Sequence, residues 1–168
     1  METDREKLIA YLKFLNLKLD PSNSRDRFRI QKIAFFLKSM GAGLNYEFTF
    51  YQYGVYSQEL FEESRDHKDD FALLRSNYKI NDNERIILDK LKNKIPDNDL
   101  MEALTTIIYE NIIYSDIEEI IKRVKKLKPN LNDSVIISAT DLAKELFFKS
   151  EYLTEEIKRE IEAWDNFD

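Results

Sequence analysis

The sequence predicts an α+β fold that is mainly helical, with about seven to eight helices and one small antiparallel sheet of about three strands. Apolar residues recur at helical spacing over most of the chain. One stretch, residues 46–53, instead alternates at the spacing of a half-buried strand. The chain has 43 % hydrophobic and 35 % charged residues with only three glycines and three prolines, a composition typical of a folded globular protein.

Caps and apolar stripes mark the first two helices. Thr3 and Glu6 form a capping-box pattern that predicts a helix over residues 4–16. A second helix precedes Gly41 and Gly43, which are predicted to end it because glycine readily adopts the backbone conformation of a helix stop. The apolar stripe of this helix contains Ile30, Ile33, Leu37 and Met40.

The predicted strand leads directly into a third helix. Its alternation places Tyr46, Phe48 and Phe50 on one face and Glu47, Thr49, Tyr51 and Tyr53 on the other. A chain that leaves a strand and enters a helix within three residues needs a sharp turn, so Gly54 is predicted to have a positive φ. Ser57 is predicted to cap the short helix from residue 57 to about 66.

The remainder of the chain is predicted to contain a small hairpin and then helices only. The hairpin joins the short apolar runs 71–74 and 78–80 and completes the sheet. Three helices follow over 83–94, 98–113 and 116–128, the last with a Ser115–Glu118 capping box and an end at Pro129. We expect one domain over residues 1–168, with a subdomain joint near 95–97.

Two further helices are predicted near the C-terminus. The first contains Leu142, Leu146 and Phe147 and starts between Asn132 and Thr140. The second is striped by Ile157, Ile161 and Trp164.

Composition and motifs exclude several classes of function. The chain has no cysteine, so it has neither disulfides nor thiolate metal sites. No apolar run approaches the roughly 18 residues of a membrane span, and the charged N-terminus is unlike a signal peptide, so we expect a cytoplasmic protein without a membrane partner. No phosphate loop, nucleophile elbow or dinucleotide fingerprint occurs, which disfavours an enzyme and leaves no cofactor to expect.

The single histidine lies among carboxylates without forming a metal signature. Its neighbours are Asp66, Asp69 and Asp70. Adjacent polar residues in a predicted loop cannot all converge on one ion, so we interpret this segment as a solvated loop and expect no metal site.

Two basic clusters are candidates for binding. In the second helix, Arg25, Arg29 and Lys32 fall on one stripe that could grip phosphate or acidic side chains, although an ordinary solvated helix face has the same pattern. The second cluster, residues 122–128, crowds the end of a helix that starts with acidic residues. Complementing the helix dipole accounts for that arrangement without a ligand.

Tyrosines supply the other candidate surface. Tyr51 and Tyr53 alternate away from the core face of the strand, so either a second layer covers them or they form an amphipathic surface for a protein partner. Together with Tyr56 and the basic stripe, they make the predicted partner-binding set Arg25, Arg29, Lys32, Tyr51, Tyr53 and Tyr56.

The segments RFRIQKIAFFLKSMG and YEFTFYQYGVYSQEL resemble a pattern in YwgA-like proteins and, more distantly, in the Panacea domain of prokaryotic and phage antitoxins. That pattern is a helix of the form Lys-Leu-Gln-Lys-Leu-x-Tyr followed by a strand that ends in Tyr-Gly-Pro. The resemblance covers residues 24–63 and has Val55 where the pattern has proline. The matching residues are Ile30, Gln31, Lys32, Ile33, Tyr53, Gly54, Tyr56, Ser57 and Leu60.

The resemblance implies a mainly helical domain with a small sheet that is related to winged-helix proteins. Panacea domains bind and neutralise toxin proteins, and some occur beside regulators. We therefore expect a non-enzymatic interaction module, antitoxin-like or regulatory, whose partner is a toxin or a regulator. The alternative is a winged-helix DNA-binding transcriptional regulator. The net charge of −6 disfavours nucleic acid, because phosphate binding depends on Lys and Arg.

Overall fold

The computed structural model describes residues 2–52 and 54–147 and confirms the predicted mainly helical α+β fold. Eight helices and one two-stranded antiparallel hairpin make up the regular structure of that part of the chain. The helices are α1 (Asp4–Phe14), α2 (Ser24–Ser39), α3 (Gln58–Asp66), α4 (Lys68–Ala72), α5 (Asp82–Leu91), α6 (Asn98–Tyr109), α7 (Ile117–Leu127) and α8 (Asp133–Phe147). The strands are β1 (Thr49–Tyr51) and β2 (Gly54–Tyr56).

Side-chain caps start the helices much as the sequence predicts. The Thr3–Glu6 capping box begins α1, and the Ser57 hydroxyl accepts a hydrogen bond from the Leu60 amide at the start of α3. The prediction for α7 was one residue early. Its cap is Asp116, whose carboxylate accepts from the Glu119 amide, and a carboxylate there also interacts favourably with the positive end of the helix dipole.

The sheet is smaller than predicted. β1 and β2 pair as a hairpin in register Thr49 with Tyr56 and Tyr51 with Gly54. The alternation ahead of the hairpin is confirmed: Tyr46 is fully buried and Phe48 is partly buried, whereas Glu47 is exposed. Within the described residues the sheet therefore has two strands, not about three.

The predicted hairpin over residues 71–80 was wrong. Residues 68–72 form α4, and the segment that follows runs without pairing to any described strand. Its alternating apolar residues pack on helices instead, and the Tyr78 ring meets the Tyr11 ring edge-on with centroids 6.3 Å apart. The Ser76 hydroxyl donates to the Glu6 carbonyl oxygen, which ties the segment to α1.

One hydrophobic core extends through the described chain. It includes Leu8 and Phe36 on one side of residues 95–97 and Leu104 and Leu146 on the other. Helix α6 lies at its centre, because it packs against α2, α7, α8 and β2. The predicted last helix, around Ile157, lies outside the described residues.

A buried carboxylate links three segments near the start of α5. The Tyr11 and Tyr78 hydroxyls lie 2.6 and 2.7 Å from Glu84 Oε1, and the Asn81 amide donates to Glu84 Oε2. Glu84 is only 7 % exposed. Burial by itself raises a carboxyl pKa, but the hydrogen bonds from Tyr11, Tyr78 and Asn81 outweigh it and lower the pKa of Glu84. Burial and the bond to Glu84 raise the pKa of Tyr78 to about 12.

The lowered pKa of Glu84 predicts an acid-dependent loss of stability. A group whose pKa is depressed by folding contributes stability above its unfolded pKa of 4.5, and that stability is lost as the pH falls through the folded value. We expect Glu84→Gln to lower the free energy of unfolding by about 2 kcal/mol at pH 7, since hydrogen bonds to a charged acceptor are weakened. The difference from the unmodified protein should shrink below pH 4.5 in denaturant titrations.

The matched control is Glu118→Gln, because Glu118 is exposed in the first turn of α7. This control should be nearly neutral at every pH. A stability loss in Glu84→Gln that stays constant from pH 7 to pH 3 would contradict the assigned charge of Glu84.

Candidate functional site: an aromatic face and a lysine cleft

Gln31 joins α2 to the point where the hairpin becomes a helix. Its side-chain nitrogen donates to the Ser57 carbonyl oxygen at 2.9 Å, and its side-chain oxygen accepts from the Ser57 amide at 2.8 Å. Gln31 is only 5 % exposed, and Ser57 is buried as well. The Ser57 carbonyl oxygen also accepts the first hydrogen bond of α3, from the Phe61 amide at 3.0 Å. The Ser57 amide has the Gln31 side chain as its partner, so Gln31 satisfies a buried donor that would otherwise be unpaired.

Gly54 has the predicted positive φ, +99°. The turn it serves differs from the prediction, because Gly54 is the first residue of β2 and the turn joins two strands. A Cβ placed on Gly54 would have Lys32 Cε as its nearest neighbour, 3.9 Å away. The position therefore requires glycine for its backbone conformation, while space is available for a side chain.

A row of three aromatic rings, which we call the aromatic face, runs from the hairpin to α3. It consists of Tyr51 and Tyr56 on the outer side of the hairpin and Phe61 in α3. Tyr51 and Tyr56 are diagonal neighbours across the hairpin, with ring centroids 5.8 Å apart, and the Tyr56 and Phe61 centroids are 6.0 Å apart. Tyr51 is 60 % exposed. The inner side holds Phe50 and Val55, and the Phe50 ring lies 5.1 Å from that of Tyr109 on α6.

Polar contacts hold the aromatic face in place. The Tyr56 hydroxyl donates to Gln58 Oε1 at 2.7 Å, and Gln58 Nε2 donates to Glu62 Oε1 at 2.9 Å. The pKa of Tyr56 is raised by partial burial and then by the nearby Glu62 carboxylate and Tyr51. The Tyr56 side chain is thus held by its hydroxyl and by its ring contacts with Tyr51 and Phe61.

Carboxylates border the aromatic face. Desolvation, followed by repulsion from Glu63, Asp4, Glu47 and Glu62, raises the pKa of Glu59. The direction of this shift indicates that the other carboxylates lie close enough to Glu59 to disfavour its charged form. A cationic partner would relieve this repulsion.

The basic stripe on α2 divides between two environments. Arg25 is exposed, and Arg29 Nη1 donates to Asn98 Oδ1 at 3.1 Å at the start of α6. Partial burial lowers the pKa of Arg29. Among the described residues, no hydrogen bond, ion pair or ring contact joins these arginines to Tyr51 or Tyr56.

Lys32, the third member of the stripe, lines a cleft between α2, the hairpin loop, α6 and the segment after α7. We call it the lysine cleft, and its volume is about 600 Å³. Its lining comprises Phe28, Lys32, Gln52, Asp99, Glu102, Leu127, Lys128, Pro129, Asn130 and Leu131.

Lys128 forms one wall of the lysine cleft and has several partners. Its ammonium lies 2.9 Å from Glu102 Oε1 and donates to the Gln52 carbonyl oxygen at 3.1 Å. It also lies 5.5 Å from the centre of the Phe50 ring. The side chain is only 9 % exposed. Sequence reasoning attributed this lysine to the helix dipole, and no local signal distinguishes it from the exposed lysines beside it.

Lys32 differs from Lys128 in having no such partners. Within the described residues, no hydrogen bond or ion pair reaches its ammonium. Every fully buried side-chain nitrogen and oxygen of the described residues has a hydrogen-bond partner. Since the Lys32 nitrogen has none, it is not fully buried and is accessible from the cleft. Burial of the side chain lowers the pKa of Lys32, with Glu102 acting in the opposite direction and Lys128 in the same one.

The predicted partner-binding set therefore occupies two places. Tyr51 and Tyr56 lie on the aromatic face, Lys32 lies in the lysine cleft, and Tyr53 lies outside the described residues. The segment with His67 is helical rather than a loop, since His67 separates α3 from α4 and its ring lies 3.7 Å from Asp70. Across residues 2–52 and 54–147, no three side chains are grouped so that they could hold a metal ion.

Comparison with protein-family models, with curated proteins and with solved structures gave no match. The resemblance over residues 24–63 therefore stays a prediction. None of the described helices combines the length and apolar character that crossing a bilayer requires.

The positive φ of Gly54 predicts a cost for β-branched residues there. We expect Gly54→Val to lower the free energy of unfolding by at least about 1 kcal/mol, because a β-branched side chain is strained in this backbone region. Gly54→Ala should cost less, since the available space removes any packing penalty. Chemical denaturation of both variants tests this, and unchanged stability in both would contradict the assigned φ.

The Gln31 bridge gives a second stability prediction. Gln31→Leu keeps a side chain of similar volume but leaves the buried Ser57 N–H unpaired and the Ser57 carbonyl with the Phe61 amide alone, so we expect a loss of about 1–3 kcal/mol in the free energy of unfolding. Gln31→Glu keeps the acceptor but not the donor. If Gln31→Leu were as stable as the unmodified protein, the bridge would have no role in stability.

Proposed function

We propose that this protein is a non-enzymatic interaction module, antitoxin-like or regulatory, that binds a basic protein partner through the aromatic face and its acidic border. The observation that carries the proposal is the row of rings formed by the exposed Tyr51 and the half-buried Tyr56 and Phe61, which lies beside the Glu62 carboxylate. Exposed tyrosines are enriched at the energetic centres of protein interfaces.

The ordering of the aromatic face supports tight binding. Tyr56 is hydrogen-bonded through Gln58 to Glu62, and Tyr51 rests on Tyr56. Rings that are held before binding lose little conformational entropy when a partner covers them. Tyrosine also combines an apolar body with a hydroxyl, which suits a surface that is exposed before binding and buried afterwards.

The charge beside the rings favours a basic protein over nucleic acid. Glu47, Glu62 and Glu63 act on Glu59, and Glu62 also lies beside Tyr56. They would repel a phosphate backbone and attract Lys and Arg side chains. Arg25, Arg29 and Lys32 belong to the predicted set as well, but the proposal is centred on Tyr51 and Tyr56, which share one surface.

Site-specific photo-crosslinking in the native host identifies the partner. A photoreactive amino acid is placed at position 51 or, as the control, at position 114, because Tyr114 is a tyrosine that is even more exposed, at 70 %. We expect a basic protein to be captured from position 51 and not from position 114. Calorimetry with the purified partner should then show at least tenfold weaker binding for Tyr51→Ala and unchanged binding for Tyr114→Ala.

A charge variant tests the acidic border separately. Glu62→Lys should weaken binding and reduce its dependence on salt, because it replaces an attraction with a repulsion. Unchanged affinity in Tyr51→Ala, or an acidic partner, would contradict the proposal. Tight, salt-sensitive binding to duplex DNA would instead support the alternative, a winged-helix transcriptional regulator.

A further inference from the structure

We infer that the lysine cleft is a binding site for a small ligand with one carboxylate and an apolar body, whose carboxylate pairs with Lys32. This site is separate from the aromatic face, and the inference does not depend on the proposed function. It stands on a cleft of about 600 Å³ that leaves an ammonium group without a partner among the described residues.

The contrast between the two lysines of the cleft carries the first step. Lys128 has Glu102, the Gln52 carbonyl oxygen and the Phe50 ring around its ammonium. Lys32 forms no ion pair or hydrogen bond with a described residue, and Glu102 and Asp99 act on it only at longer range; its stem lies against the hairpin at Gly54. A partly buried cation without a direct partner is costly, and a bound anion would reduce that cost.

The charge balance of the cleft limits the ligand to a single negative charge. Lys32 and Lys128 supply two positive charges, and Asp99 and Glu102 supply two negative ones. Because Glu102 already neutralises Lys128, one cation is available and Asp99 remains near it. A phosphate or polyphosphate would bring excess negative charge towards Asp99, so a monoanionic carboxylate fits better.

The walls of the cleft select the remainder of the ligand. Leu127, Pro129 and Leu131 line one side with apolar surface. Small-molecule sites combine mostly apolar walls with a few polar groups that fix orientation. Here the polar lining comprises Lys32, Gln52, Asp99, Glu102, Lys128 and Asn130. Lys32 and the Asn130 amide would fix the carboxylate, and the apolar wall would contact a short aliphatic or aromatic body.

Hexanoate is the probe for this site, because it has one carboxylate and a short apolar chain. In ¹H–¹⁵N NMR titrations at constant ionic strength, we expect the backbone amides of Gln52, Asp99, Asn130 and Leu131 to shift together. The dissociation constant should be on the order of 1–10 mM for so small a ligand. Acetate should bind more weakly than hexanoate because it lacks the apolar chain.

Variants assign the carboxylate to Lys32. Lys32→Met should weaken hexanoate binding at least tenfold, since it removes the ammonium and keeps the stem. Lys32→Arg should retain most of the affinity. The matched control is Lys122→Met, because Lys122 is an exposed lysine on α7, and it should bind as the unmodified protein does.

A measurement on the unmodified protein keeps the inference testable if Lys32→Met fails to fold. In protein labelled with ¹³C-lysine, saturating hexanoate should raise the titration midpoint of Lys32 and leave that of Lys122 unchanged, because a bound anion favours the ammonium form. Equal binding of hexylamine, equal or tighter binding of inorganic phosphate, or the absence of a Lys32 response would each overturn the inference.

Discussion

The pair of hydrogen bonds between Gln31 and Ser57 is the contact on which the rest of this structure depends. Ser57 both follows β2 and caps α3, so its position sets where the hairpin ends and where the helix begins. At this junction the Ser57 carbonyl accepts the first hydrogen bond of α3, whereas the buried Ser57 amide needs a partner from elsewhere in the chain. The Gln31 side chain accepts from that amide and donates to the carbonyl, and it does so from the middle of α2.

With the junction held, the hairpin separates two surfaces. Strand alternation turns Tyr51 outward and Phe50 inward. Phe50 packs on α6, and the carbonyl oxygen of Gln52, two residues later, accepts a hydrogen bond from Lys128. Three successive residues at the end of β1 and just after it thus have different surroundings: Phe50 contacts α6, Tyr51 belongs to the aromatic face and Gln52 lines the lysine cleft.

Helices were predicted well because their signals are local. A capping box, an apolar stripe and a glycine stop involve residues within a few positions of one another, and the starts of α1 and α3 follow those signals closely. The segment around residues 71–80 shows the limit of this reasoning. Its alternation is real, yet Tyr78 and Ile80 meet helices rather than another strand. Alternation reports which side is buried, and it does not report what covers that side.

Some residues of the candidate sites could likewise be predicted from local sequence signals, and others could not. The exposure of Tyr51 followed from strand phase, and Gly54 and Ser57 followed from turn and cap chemistry. Lys128 and Lys32 could not be distinguished from other lysines, because a lysine's role depends on which carboxylate the fold brings beside it, and Glu102 is distant from both in the chain.

By itself, the sequence determined the mainly helical character, the starts of α1 and α3 and the outward face of β1, since each depends on neighbouring residues and their periodicity. Only the tertiary structure decided that β1 pairs with β2 in a two-stranded sheet, that Gln31 pairs with Ser57, and that Lys128 forms an ion pair while Lys32 forms none with the described residues. These features depend on contacts between residues far apart in the chain. Packing of α2, α6 and the hairpin around one core creates those contacts, and no local pattern encodes them.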